Sequence, residues 1–238
     1  MSTIALTIDG KMVKARKGEM LLWAALDSGI YIPNLCALRE ASEPYAGCRL
    51  CFVEIEGRDR PVTACTEPVA AGLVVNTRGP RALRLARTAF ELIMASHPVD
   101  CANCAANGCC ELQKIAAHLR VKLKDRRFRR IESDLPIDAS SPAFTYNPNK
   151  CVLCGKCVWV CRDRLGTGVL GFARRGFQRR VTTFGDKPIA ETDCQGCGDC
   201  VEVCPVGALF FKDTERDNRR AVKREGEEET QTEQSSRR

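Results

Sequence analysis

The sequence has little histidine, two residues in 238, and few aromatic residues, 6% of the chain. So small an aromatic content argues against one large hydrophobic centre, although Leu, Ile, Val and Ala are plentiful enough to fill a core. Long apolar runs are missing. Stretches such as Met20–Leu26 fall far short of the roughly 20 residues a helix needs to cross a bilayer, which excludes an integral membrane protein of the helical kind. The opening residues Met1-Ser2-Thr3-Ile4 run straight into polar alternation, with no basic segment followed by an apolar one, so no secretory signal is read there. These absences predict a cytoplasmic chain, in a compartment where thiols stay reduced.

What the sequence has in excess is cysteine, sixteen residues. In a reducing compartment these read as metal ligands and not as eight disulfides. Their spacing falls into four groups: Cys36, Cys48, Cys51 and Cys65; His97, Cys101, Cys104 and Cys110; Cys151, Cys154, Cys157 and Cys161; and Cys194, Cys197, Cys200 and Cys204. The last two groups are both C-x2-C-x2-C-x3-C, and Pro205 follows Cys204, which is the ligand run of two-cluster bacterial ferredoxins. Thiolates at i, i+3 and i+6 wrap one face of a cubane while the loop amides point at its sulfides. The fourth cysteine, on the following helix, reaches the other cluster. Cys151, Cys154, Cys157 and Cys204 are therefore expected to hold one [4Fe-4S] cluster, and Cys194, Cys197, Cys200 and Cys161 another.

Zinc is the competing reading, since it also favours C-x2-C pairs, but it has no use for third and fourth cysteines at these offsets. The competition is closer for the first group. There a preceding hairpin and helix favour a [2Fe-2S] site of the plant-type ferredoxin kind, although Cys36 lies eleven residues before Cys48 where the plant spacing has four. His97 precedes Pro98 and stands four residues before Cys101, in reach of the same site, and supplies the ligand that Cys101, Cys104 and a cysteine at 109 or 110 leave missing. His118 has no such neighbours and reads as structural. Sixteen ligands, fifteen cysteines and one histidine, then serve four clusters with one cysteine to spare.

Residues 3–8 and 11–15 are predicted strands joined by the Asp9-Gly10 turn, followed by a helix over 19–28 that stops at Gly29. Strands over 52–55, 61–64 and 73–76 complete a small α+β unit. Pro80 opens a helix to about Ser96, and 111–125 suits another. Residues 136–148, rich in Ser, Pro and Asn, read as a linker. Residues 150–212 hold the repeated cysteine runs. Residues 213–238 are dense in both charge signs and are expected to be disordered or loosely attached.

The net charge of +7 is concentrated between Arg120 and Arg130, where seven basic side chains face one acid, Asp125. Only Phe128 interrupts this run, so nucleic acid is not expected, and a contact with a partner subunit is the reading. Gly166, Gly168 and Gly171 formally fit G-x-G-x-x-G, with Glu191 twenty residues on, but Cys161 and Cys194 leave no room for a βαβ unit, so these are read as loop glycines. No catalytic residue is expected in this chain.

The segments Ile32-Pro33-Asn34-Leu35-Cys36, Gly47-Cys48-Arg49-Leu50-Cys51, Ala64-Cys65, His97-Pro98-Val99-Asp100-Cys101, Asn107-Gly108-Cys109-Cys110-Glu111-Leu112-Gln113 and Asn149-Lys150-Cys151-Val152-Leu153-Cys154 resemble a known family. It is the N-terminal cluster-bearing region of the large iron–sulfur subunit of respiratory complex I and, more closely, the diaphorase small subunit of bidirectional NAD-reducing [NiFe] hydrogenases. The resemblance covers about residues 1–212. It selects Cys110 over Cys109 as ligand and matches His97 to the family's histidine-ligated cubane. It departs at Arg162, which follows Cys161 where ferredoxins often carry Pro.

The resemblance implies an α+β chain in four parts. A β-grasp [2Fe-2S] ferredoxin-like domain covers 1–78, and a helical [4Fe-4S] segment, with one histidine and three cysteines as ligands, covers 79–135. A bacterial-type 2[4Fe-4S] ferredoxin domain covers 136–212, and a charged tail covers 213–238. It implies an electron-transfer subunit carrying one [2Fe-2S] and three [4Fe-4S] clusters. Its partners would be a flavin- and NAD-binding diaphorase subunit that holds FMN and NAD(H), and hydrogenase small and large subunits. The alternative is the same relay in an NAD-dependent formate dehydrogenase, whose molybdopterin domain would sit on another polypeptide, or in another complex I-like reductase. A zinc-stabilised binding module is the reading of a different class, which metal analysis separates.

Overall fold

The structure is a computed structural model that describes residues 2–124, 127–131 and 133–212. The charged tail, and Asp125 and Arg126 of the basic run, lie outside the described residues. Among the described residues, no helix is long and apolar enough to cross a membrane.

The chain opens with β1 (Thr3–Ile8) and β2 (Lys11–Arg16), an antiparallel hairpin in which Ile8 faces Lys11. The turn needs positive φ at both central residues, and Asp9 and Gly10 supply it, at 51° and 78°. Helix α1 (Leu21–Asp27) buries Leu21, Leu22, Ala24 and Ala25, and ends before Gly29 at φ 73°. It starts two residues later than the sequence suggested. Strands β3 (Phe52–Ile55), β4 (Val62–Thr63) and β5 (Val74–Asn76) complete a five-stranded mixed sheet in the order β2-β1-β5-β3-β4, with β1 and β5 parallel. The unit has its own apolar core, made of residues between Leu6 and Val75.

Helix α2 (Pro80–Ala95) starts with Pro at its first turn and buries Ala82, Ala86, Phe90 and Met94 at four-residue spacing. No side chain of its own N-cap, Gly79, caps it. Instead the Glu54 carboxylate of β3 accepts hydrogen bonds from the Arg81 and Ala82 amides, at 2.8 and 3.0 Å. Negative charge at that end also suits the helix dipole. A Cβ on Gly79 would lie 2.2 Å from the Glu54 carboxyl carbon, so this cap requires glycine.

Helix α3 (Glu111–Leu119) is shorter than the 111–125 expected. Arg120 takes the left-handed conformation, φ 54°, and turns the chain away, while Arg87 Nε of α2 donates to the freed Leu119 carbonyl at 3.0 Å. Residues 136–148 are not a linker. They contain β6 (Phe144–Tyr146), with Phe144 1% exposed, which pairs antiparallel with the last strand. The polar residues that suggested a linker are structural: Asp138 Oδ2 accepts from the Ile189 amide, and the Tyr146 hydroxyl donates to the Val181 carbonyl.

Two short helices lie within the cysteine runs, α4 (Lys156–Trp159), which carries Cys157 and is continued by a π-helical turn over Val160–Arg164, and α5 (Asp199–Glu202), which carries Cys200. Between them lies the hairpin of β7 (Gly171–Ala173) and β8 (Arg180–Thr182), and β9 (Leu209–Phe211) closes the fold. A single second core unites α2 and α3 with β6, β9 and the cysteine loops, and takes in Leu35, Cys36 and Leu50 from the N-terminal unit. The low aromatic content is thus met by two aliphatic cores.

Candidate metal centres

Cys36 follows α1, Cys48 and Cys51 bracket a tight loop before β3, and Cys65 follows β4. Ala46 and Arg49 hold positive φ, 52° and 55°, which curls this loop around its sulfurs. Cys36, Cys51 and Cys65 are 3%, 1% and 4% exposed. The Cys36 and Cys48 sulfurs are 3.4 Å apart, within hydrogen-bond reach of each other. The hydrogen bond between them, with the Leu35 and Leu50 amides, brings Cys48 down to about 6, and the same bond pushes Cys36 up. Cys51 and Cys65 form a second such pair, Cys65 lowered and Cys51 raised by their mutual bond. Cys65 also feels Cys36 and Cys48, so all four thiols form one neighbourhood.

His97, Cys101, Cys104 and Cys110 line one cavity with Met94 and Gly207. The histidine follows α2, and Cys110 is the N-cap of α3. Burial, then the charge of Lys150, lowers His97 to about 4, so its imidazole is neutral with a lone pair free. Nδ1 is buried and has no hydrogen-bond partner, the condition of a nitrogen waiting for a metal. A Cβ on Gly207 would stand 2.5 Å from the Cys104 sulfur, so this glycine lets the sulfur into the cavity. Cys109 does not line that cavity. It is exposed, with its thiol donating to the Ala106 carbonyl at 3.4 Å. His118 meets Tyr31 edge-on at 5.0 Å and no cysteine, a packing role.

The two repeated runs fold alike. A left-handed glycine, Gly155 at φ 78° and Gly198 at φ 77°, precedes α4 and α5 respectively. The amide two residues on faces Cys151 (from Leu153), Cys154 (Lys156), Cys194 (Gly196) and Cys204 (Val206), and favours the thiolate at each. The sulfurs also cross over. Cys161, in the π-helical turn, lines one cavity with Cys194, Cys197 and Cys200. Cys204, two residues beyond α5, adds its charge to those of Cys151 and Cys154 at Cys157. Burial raises Cys151 to about 11 and Cys154 to about 12, and raises Cys157 and Cys204 as well. Cys200 is pushed to about 12 by burial and by Cys197, Cys194 and Cys161. Buried thiols this hard to ionise call for a cation to take the proton's place.

Among the described residues, no three His, Cys, Asp or Glu side chains close around a single ion. At two of the sites, that of His97, Cys101, Cys104 and Cys110 and that of Cys161, Cys194, Cys197 and Cys200, the ligand candidates line a cavity between them. The glycines at 166 and 168 belong to a loop that folds back on Cys161, whose carbonyl accepts from the Thr167 and Gly168 amides at 3.0 and 2.9 Å. No βαβ unit is present there among the described residues. Of the basic run, Arg127 pairs with Glu91 of α2 at 2.6 Å, so part of that charge is used within the chain. Sequence reasoning passed over Gly207, Tyr45 and Glu54. Only the glycine left a sign, as a small residue close after Cys204-Pro205.

Comparison with known proteins separates the chain along the same lines. Residues 1–80 match a 2Fe-2S iron-sulfur cluster binding domain, 87–124 the NADH-ubiquinone oxidoreductase-G iron-sulfur binding region, and 141–210 the ferredoxin-like domain of NADH-quinone oxidoreductase subunit 3. The chain is 38% identical to NADPH-Fe(3+) oxidoreductase subunit alpha of Geobacter sulfurreducens, over 88% of this chain and 24% of that protein. It is 37% identical to NADP-reducing hydrogenase subunit HndD of Solidesulfovibrio fructosivorans, over 88% and 36%. It therefore spans about a quarter to a third of these curated relatives. Among solved structures, a chain of an NAD+-reducing [NiFe]-hydrogenase in the H2-reduced state superposes with a TM-score of 0.79 at 31% identity, covering 89% of this chain and 88% of that one.

Proposed function

Because the chain belongs to the family of iron–sulfur electron-transfer subunits found in NAD(P)-linked hydrogenases and complex I, we propose that it relays single electrons between a diaphorase subunit holding FMN and NAD(H) and a hydrogenase catalytic module. One [2Fe-2S] and three [4Fe-4S] clusters, when bound, supply the one-electron redox centres. Cys36, Cys48, Cys51 and Cys65 hold the first, in a β-grasp ferredoxin domain over 1–78. His97, Cys101, Cys104 and Cys110 hold the second, in the segment 79–135. Cys151, Cys154, Cys157 and Cys204, and Cys194, Cys197, Cys200 and Cys161, hold the third and fourth, in a two-cluster ferredoxin domain over 136–212. The chain works in the cytoplasm, and its protein groups bury the ligands, aim amides at sulfur and keep His97 neutral.

The observation that carries this reading is the crossover, with Cys161 beside Cys194, Cys197 and Cys200 while Cys204 sits with Cys151, Cys154 and Cys157. Two knuckles that each bind their own ion have no need of it. The test is anaerobic iron and acid-labile sulfide per chain, with EPR of the dithionite-reduced protein. About fourteen irons are expected, with a slowly relaxing [2Fe-2S] signal beside faster cubane signals. Zinc, or only about eight irons and no [2Fe-2S] signal, would sink the reading.

The likeness to NADPH-Fe(3+) oxidoreductase subunit alpha favours a second reading, the same relay in a reductase other than a hydrogenase. The catalytic chain that co-purifies decides between the two.

A further inference from the structure

Tyr45 occupies the seam between two of the cysteine sites. Its ring lies in the loop before Cys48, within the electrostatic reach of Cys36 on one side and of Cys154 and Cys151 on the other. Both loops meet the ring at a glycine, and at Gly47 there is no space for a side chain. A Cβ on Gly47 would lie 2.4 Å from the Tyr45 ring, and one on Gly155, between Cys154 and Cys157, would meet both Phe172 at 3.4 Å and Tyr45 at 3.6 Å.

The ring is held from the other side. Phe172 of β7 stacks on it, with centroids 5.7 Å apart and planes 11° from parallel. Arg179, immediately before β8 of the same hairpin, lies 4.1 Å from the Phe172 ring centroid. Phe172 thus touches both the tyrosine ring and the arginine, and ring–ring and cation–ring contacts of this kind are attractive. Tyr45 is 41% exposed, yet its neighbours Cys36 and Cys154 are 3% and 8% exposed. Cys36, Gly155, Trp159 and Phe172 are neighbouring walls of the same surface cleft. A tyrosine this open to solvent has no packing need for so elaborate a support, and the geometry gives the support another purpose.

We propose that Tyr45, clamped by Phe172 and Arg179, is a positioning residue for electron transfer between the Cys36/Cys48/Cys51/Cys65 site and the Cys151/Cys154/Cys157/Cys204 site. It keeps the two cysteine loops in register and keeps water off the sulfurs that face each other. One electron leaves one centre and enters the other, and the tyrosine neither gains nor loses one. The ring does this and the hydroxyl does not, because the packing contacts are all to ring carbons. This inference rests on the ligand sets proposed above.

The test compares wild type, Tyr45→Ala, Tyr45→Phe and Arg179→Ala in the purified complex, by EPR redox titration and by the rate of iron release to a ferrous chelator. Iron, sulfide and EPR of the wild type alone report on the ligand sets, so their failure is separate from failure of the inference. In Tyr45→Ala, water at the seam favours the more negatively charged reduced state, so the midpoint potentials of the [2Fe-2S] centre and of one cubane rise. Their iron is released about tenfold faster, which corresponds to about 1.4 kcal/mol. Tyr45→Phe matches wild type, and Arg179→Ala lies between. Unchanged potentials and release rates in Tyr45→Ala overturn the inference. So does an equal shift at the His97 centre, which would mean general loosening, and so does a Tyr45→Phe that behaves like Tyr45→Ala.

Discussion

The spacing C-x2-C-x2-C-x3-C is folded twice in this molecule, into different surroundings. Around Cys151, Cys154, Cys157 and Cys204 the protein closes: Cys154 and Cys157 are 8% and 7% exposed, and Tyr146 packs beside them with its hydroxyl bonded to a carbonyl. Around Cys194, Cys197, Cys200 and Cys161 it stays open on one side, where Cys197 is exposed and only Cys200 is buried. Local backbone does not cause this, since both runs use a left-handed glycine before a four-residue helix. The difference comes from what lies against each run, the N-terminal unit and the start of α3 in the first case and a glycine-bearing loop over 165–170 in the second. Spacing sets which sulfurs meet. Cover sets how much solvent reaches them, and through it the reduction potential.

The largest test breaks the comparison at the crossover. Cys204→Ser is expected to remove the cluster of the 151–157 run, and Cys161→Ser that of the 194–200 run, each with a loss of about four irons. Site-selective EPR identifies the missing signal, and loss from the mutated run itself would show that the runs are self-contained. Next in size, His97→Cys replaces a neutral ligand by an anionic one and makes that site like the other two cubanes. Its potential is expected to fall by on the order of 100 mV in a redox titration, and no change or a rise would refute the role given to the histidine. Smaller again, an iron chelator is expected to attack the 194–200 site before the 151–157 site, by roughly tenfold in rate if cover is worth about 1.4 kcal/mol. The reverse order would uncouple exposure from access. The smallest effect sharpens the likeness: Gly155→Ala and Gly198→Ala are each expected to cost about 1–2 kcal/mol, the penalty for a Cβ in the left-handed region. Lowered melting temperatures of similar size would show that the local folds are equivalent, and a clearly larger loss at Gly155 would reflect its contact with Phe172.

Much of this was legible in the sequence because cysteine spacing and turn chemistry are local. The hairpin at Asp9-Gly10, the start of α2 at Pro80 and the spacing within each repeated cysteine run are all carried by residues within a few positions of one another. What was not legible depends on contacts between distant segments. Residues 136–148 read as a linker because Ser, Pro and Asn usually solvate a chain, whereas here Asp138 and Tyr146 bond residues far along it. Helix α3 was drawn too long because nothing local ends it at Leu119. The turn depends on Arg120 accepting a left-handed conformation, while Arg87 from another helix takes up the freed carbonyl. The choice between Cys109 and Cys110 stayed open at the level of spacing, and the structure separates the two by which one faces the cavity.

The carboxylate of Glu54 bears on how such proteins can be recombined. An acid on the first module closes the end of a helix that belongs to the next, so the two are not independent cassettes. A chimera that imports residues 1–78 from a relative would carry over the cysteine loops, yet it would leave α2 with bare amides unless an acid arrived at position 54 facing a glycine at 79. Module boundaries drawn between the cysteine groups would cut through that joint, and a graft designed around it should keep Glu54 and Gly79 as a matched pair.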